Sequence, residues 1–177
     1  MAGGVERMAT LIMNRMVQRG FRVGLITWDP IDAQAHYALD GAVEWMKLNL
    51  GAAEVAAGWG TRLKRQLALR RMAKAFQPDV AIGFQVGTFL AARTAMFGLG
   101  VPMIAAERNS PDLFDFVLHG DSNRRRADWA LTLADCVTVQ LDSYRAKYPE
   151  KLRDRITTIP NPVAPVLDPA YPNDAIE

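Results

Sequence analysis

Two short clusters in this sequence have the residue types and the neighbours to do chemistry. The first, Gly3-Gly4-Val5-Glu6-Arg7, opens a stretch with helical spacing. Backbone amides at a helix N-terminus, with no side chains in the way, suit a pyrophosphate. The same glycines also fit a plain tight turn that needs them only for their backbone angles. Glu6 complements the positive end of the helix dipole, and Arg7 either approaches the anion or faces solvent. The second cluster, Glu107-Arg108-Asn109-Ser110-Pro111, follows the apolar run PMIAA. Ligands of open α/β sheets bind beyond the carboxyl ends of strands, which is where this cluster falls. A carboxylate, a guanidinium and an amide in a row can grip hydroxyls and a phosphate. Equally, Asn109-Ser110-Pro111 is a ready turn or helix cap. Gln85, just after VAIGF, holds the same topological position.

Other chemistries find less support. His36 and His119 are the two histidines, with no carboxylate or cysteine at ligand spacing, so no metal site is expected. His119 comes shortly after the Glu107 cluster and is a candidate for facing the same cleft. The single cysteine, Cys136, sits in an apolar strand pattern and is expected in the core; one cysteine allows no intramolecular disulfide. No P-loop and no Ser-His-Asp order is visible. Six cations, Arg62, Lys64, Arg65, Arg70, Arg71 and Lys74, crowd one predicted helix, and Arg124-Arg125-Arg126 open another. They fit a solvated face, or peripheral attachment to anionic lipid. A formal net charge of +2 gives no reason to expect nucleic acid as a partner.

The elements that must position these clusters alternate in type. Val5, Met8, Ile12 and Met16 share one helical face, which Gly20 closes. Strands are expected over 21–27, 43–48 (an edge strand), 80–83, 101–106, 136–139 and 155–159. Helices are expected over 61–76, 88–97, 123–133 and 142–148, with a loop over 51–60. Alternation of this kind predicts a parallel sheet with helices on both faces, in one domain over residues 1–163. The segment 164–177 carries three of the ten prolines and reads as a linker or a cut end. No run approaches the roughly 18 apolar residues of a membrane span, and the first residues do not read as a signal peptide, so a cytoplasmic protein is expected. In doubly wound sheets a central strand feeds the glycine turn. Here the turn is present without that strand, so a gap in the sheet is expected.

These residues resemble the N-terminal domain of family 4 GT-B glycosyltransferases. The resemblance rests on Gly3-Gly4-Val5-Glu6-Arg7, Leu11, Gly20-Phe21-Arg22-Val23, Phe76-Gln77-Pro78-Asp79-Val80, Val137-Thr138-Val139 and Ile159-Pro160-Asn161-Pro162-Val163. Phe21 stands where that family usually has histidine, and Gln140 where it has serine or threonine. The resemblance implies a Rossmann-like acceptor-side half of a GT-B fold, and retaining transfer of a hexosyl group from a nucleotide sugar to a sugar or lipid-linked hydroxyl acceptor. The resemblance strengthens the expectation that Gly3 and Gly4 lie at the donor phosphates, with Arg7 beside them; by their places after strand ends Glu107 and Arg108 are expected to be catalytic, and Gln85, Asn109 and, by sequence order, His119 to contact the acceptor. No cofactor is implied, only the donor substrate. A C-terminal GT-B domain is the implied partner, because the family's paired glutamates reside there. Glu107 and Asp115 do not reproduce that pair, so this chain alone is expected to be inactive. The alternatives are a binding module from a truncated gene, or a GT-B-like nucleotide-sugar epimerase.

Overall fold

The computed structural model describes residues 3–51, 58–113 and 121–162; the expected linker and His119 lie outside them. Helix α1, Gly4–Gln18, leads to β1, Gly24–Thr27, and β2, Glu44–Lys47. Next come α2, Trp59–Phe76; β3, Ala81–Phe84; α3, Gln85–Ala95; and β4, Met103–Ala106. The chain continues through α4, Asp121–Leu131; β5, Cys136–Val139; two single-turn helices, α5, Asp142–Arg145, and α6, Glu150–Arg153; and β6, Ile156–Thr158.

The end of α1 follows from one residue. Gly20 takes a left-handed φ of +85°, where a side chain would crowd the backbone. The Gly20 N–H then donates to the Val17 carbonyl at 2.9 Å, and the Phe21 N–H to the Met16 carbonyl at 3.1 Å. Two carbonyls left over at the helix end are satisfied, and the chain turns into β1.

All the strand pairs are parallel, as the alternation predicts, but they form two sheets among the described residues. One contains β1 and β2; the other has the order β3-β4-β5-β6. The interruption leaves β1 and β3 each without a strand on one side, the break expected of a sheet whose central strand is missing. Its consequences are visible on both flanks. Ile82 of β3 remains 42% exposed, and α1 buries no residue fully. The expected face of α1 (Val5, Met8, Ile12, Met16) is only half-buried.

The core lies under the larger sheet. Phe89 of α3, Met103 of β4, Val137 of β5 and Leu152 of α6 are each fully buried. Each such side chain contributes roughly 2 kcal/mol by leaving water. Cys136 departs from expectation. It is half-buried, because it is the first residue of β5 and its thiol lies at the sheet margin beside the Thr157 hydroxyl at 3.7 Å. The expected helix over 142–148 also breaks. Its first turn stops at Arg145, and a second begins after Pro149, whose ring suits a helix start.

β3 and α3 pack against each other closely at Gly83. A Cβ on Gly83 would lie 2.4 Å from the Phe89 Cα, which is backbone and cannot step aside alone. Gly83→Ala is therefore expected to cost about 3 kcal/mol by forcing α3 off the sheet. Gly41→Ala, with no atom within 4 Å of its new methyl, serves as the control. Urea unfolding followed by circular dichroism checks the difference.

Candidate functional site

The strand β4 delivers Glu107 and Arg108 to opposite sides of the sheet. Side chains alternate along an extended chain, and the pairing of β4 with β5 continues one residue past the strand through Glu107 N–H to the Thr138 carbonyl at 2.9 Å. Glu107 therefore faces the α3 side and Arg108 the α1 side. A hollow lies on each.

On the α3 side a cavity of about 120 Å³ is lined by Gln85, Val86, Gly87, Glu107, Asn109, Ser110, Pro111, Leu113 and Tyr148. Glu107 is only 8% exposed. Its carboxylate accepts from the Val86 backbone N–H at the start of α3, yet its Oε1 has no partner among the described residues. Burial raises the Glu107 pKa from the ordinary 4.5 to about 7, against the smaller opposing pull of the Val86 N–H. The Tyr148 hydroxyl is pushed upward too, first by burial and then by the nearby Glu107 charge. Gln85 enters α3 with a left-handed φ of +64°, which is rare for a residue with a side chain. Its helix begins three residues earlier than the spacing predicts, so Gln85 sits at the cavity on a strained backbone.

The outer wall of this cavity is a turn. The Ser110 hydroxyl accepts from the Asp112 N–H at 3.3 Å, and the Leu113 N–H donates to the Ser110 carbonyl at 3.0 Å. This is the cap that Asn109-Ser110-Pro111 suggested. An ion pair between Asp112 and Lys147 ties the turn to the segment after α5 and holds the Asp112 carboxyl below its usual range.

On the α1 side a wider hollow of about 290 Å³ is lined by Gly4, Val5, Met8, Arg108, Asn109, Gln140 and Asn161. Gln140 Nε2 donates to the Arg108 carbonyl at 2.6 Å, fixing the backbone there. Arg108 Nη1 reaches the Ile159 carbonyl at 3.4 Å and Asn161 Oδ1 at 3.3 Å, both at the long end for hydrogen bonds. Arg108 Nε has no partner among the described residues, and burial lowers the pKa of the guanidinium. It stays charged at neutral pH all the same. The hollow thus joins a held cation to the N-terminus of a 15-residue helix. Glu6 already occupies part of that terminus, its Oε2 accepting from the Gly3 N–H at 3.0 Å. Glu6 itself does not line the hollow.

The two expected clusters therefore converge. Gly4, Arg108 and Asn109 line one hollow; Gln85, Glu107 and Asn109 line the other. Gly3 caps α1 beside the first. Arg7 lies exposed on α1 and lines neither hollow. Gln140, Asn161 and Tyr148 also line these hollows, although the sequence reading names none of them as a site candidate. Gln140 and Asn161 fall in or beside the segments that carry the family resemblance, but nothing in the sequence says which way their side chains face. The basic cluster also divides. Arg65 donates to the Leu50 carbonyl at 3.0 Å, and Arg70 to those of Ala95 and Phe97 at 2.8 and 2.7 Å, so these two hold loops rather than facing only solvent. Among the described residues no three His, Cys, Asp or Glu side chains gather as a metal site would require. No helix there is long and apolar enough to cross a membrane.

Comparison with known proteins agrees with this architecture. The profile of the Glycosyl transferase 4-like domain matches residues 3–162, and the chain belongs to that family. Its fold is the Rossmann-like N-terminal half of a GT-B glycosyltransferase. Among solved structures it is similar to MurG of Acinetobacter baumannii, with a TM-score of 0.62 at 16% identity. That match covers 94% of this chain and 44% of MurG, so the chain spans less than half of that protein. No curated protein matches the sequence.

The Glu107 carboxyl generates a stability test. Its raised pKa means that ionisation opposes folding. The neutral acid's contribution is complete below about 4.5 and is lost as pH rises towards about 7. Glu107→Gln cannot ionise. Its stability relative to the wild type should rise by about 3 kcal/mol between those two pH values and then level off. Urea unfolding at a series of pH values measures this; a constant difference would mean that Glu107 is not held neutral.

Proposed function

We propose that this domain is the acceptor-side half of a retaining glycosyltransferase that moves a hexosyl group from a nucleotide sugar to a hydroxyl acceptor. The observation that carries the proposal is the meeting of Gly4, Arg108, Asn109, Gln140 and Asn161 in one hollow, with the Glu107 cavity on the other side of the same strand end. In that arrangement the leaving diphosphate lies against the first amides of α1 and the Arg108 guanidinium, whose charge gains strength where water is excluded. The acceptor hydroxyl enters from the Glu107 side. A carboxyl that titrates near neutrality can accept a hydrogen bond from that hydroxyl and steer it towards the donor. Gln85 and Asn109 supply further hydrogen-bonding groups to the acceptor, and His119 is assigned there on sequence order alone. Transfer takes place on one face of the sugar, with no metal or tightly bound cofactor in the scheme.

The rest of the donor, in this proposal, is held by a C-terminal GT-B domain across the cleft, and the chain is inactive without it. The enzyme works in the cytoplasm on cell-surface polysaccharide or glycolipid synthesis, in peripheral contact with the inner membrane face.

A screen of nucleotide-sugar donors and acceptors, using the domain together with its C-terminal partner, tests this. Nucleoside diphosphate should be released only when an acceptor is present, and the product should keep the donor's anomeric configuration by NMR. Glu107→Gln should lower kcat roughly 100-fold with little change in donor KM. Arg108→Met should act mainly on donor use. Isomerised donor without acceptor would point to an epimerase, and binding without turnover to an interaction module.

A further inference from the structure

The Glu107 cavity holds an acid with no cation opposite it. Glu107 is 8% exposed, and its Oε1 has no partner among the described residues. It is also the one charged residue among those that line the cavity. Arg108 faces the other hollow, and Lys147 is engaged by Asp112 at the outer wall. Asp128 and Arg124 of α4 act on Tyr148 rather than on Glu107. The polar groups that remain on the wall offer further acceptors: the Gln85 and Asn109 amide oxygens and the Tyr148 hydroxyl. Burying a carboxylate without a counter-charge is costly, and burial pushes this one up to about 7. At neutral pH Glu107 is therefore balanced between acid and carboxylate, and an arriving cation draws it to the charged form.

We infer that this cavity takes the primary ammonium of an amino alcohol, such as the amino-bearing edge of an amino sugar, set against Glu107 Oε1. An ammonium supplies what the cavity lacks. It brings one positive charge and three donors, enough for Oε1 and two of the neighbouring acceptors. A neutral hydroxyl brings one donor and leaves an ionised Glu107 unopposed. The volume of about 120 Å³ has room for only a few water-sized groups, which fits one edge of a sugar ring rather than a whole ring. Oε1 has two lone pairs, so the hydroxyl beside the ammonium still reaches it. The inference deepens the acceptor-side reading and rests on it for the ligand's part in transfer, whereas the binding itself needs no turnover.

Calorimetric titration of the chain with glucosamine, N-acetylglucosamine and glucose tests this. Glucosamine should bind about tenfold or more tightly than either of the others, which lack the charge. Below the Glu107 value of about 7, comparison of two buffers with different heats of ionisation should show release of up to about one proton on binding. Affinity should accordingly rise from about pH 5.5 to about pH 7. Glu107→Gln keeps the shape, and should bring the three sugars to the same weak affinity and abolish the proton release. Ethanolamine separates the sources of the ammonium. Tighter binding by glucosamine assigns a sugar, and equal binding an amino alcohol without a ring; either supports the ammonium site. Absence of glucosamine binding, equal affinity for the three sugars, or an unchanged preference in Glu107→Gln would overturn the inference. The acceptor-side reading fails separately, if the donor screen shows no acceptor-dependent transfer.

Discussion

The candidate site depends on the parallel register of β4, β5 and β6, because that register brings three strand ends together around Arg108. The pairing of Val137 with Ile156, and of Ala105 with Val137, aligns the three strands so that they stop at one level. Gln140 then leaves β5 where its amide reaches the Arg108 carbonyl, and Asn161 leaves β6 where its side chain reaches the guanidinium. A slip of one residue in β4 would exchange the faces of Glu107 and Arg108, and the carboxyl and the guanidinium would each leave the hollow it now lines. The chemistry of the site is thus a consequence of main-chain pairing some distance from it.

Within that frame the two ionisable groups are held at a cost. Among the described residues, Glu107 is buried with one oxygen unpaired, and the Arg108 Nε is buried without an acceptor. Unsatisfied groups of this kind each oppose folding by about 1–3 kcal/mol. Gln85 adds backbone strain at the same place. The surrounding core, with Phe89, Met103, Val137 and Leu152 fully buried, offsets these costs. Polar groups kept short of partners are available to a ligand's hydroxyls and phosphates, which gives their retention a functional sense.

Much of this was legible because local rules carried it. Gly20 ends α1 by the left-handed cap that its spacing announced, and Glu107 and Arg108 follow a short apolar strand into a polar turn. The two-sheet break was foreshadowed by a glycine turn with no strand ahead of it. Other features needed tertiary information. Gln140 and Asn161 join the site only through strand register, and Tyr148 only through packing of the segment after α5. The start of α3 at Gln85 runs against backbone preference and is held by the fold. The cations of α2 look alike in sequence, yet Arg65 and Arg70 are committed to carbonyls of other segments while Lys64, Arg71 and Lys74 stay outside. That division depends on which face meets the sheet.

The central claim is that Gly4 and Arg108 form one anion site and that Arg7 has no part in it. Isothermal titration of inorganic pyrophosphate into the chain addresses it most directly, with the wild type compared with Arg108→Met and Arg7→Met. Loss of one held cation in a partly buried site should weaken binding about tenfold or more, while removal of an exposed arginine outside the hollow should leave it nearly unchanged. Wild-type affinity in Arg108→Met, or an equal loss in Arg7→Met, would contradict the site as described.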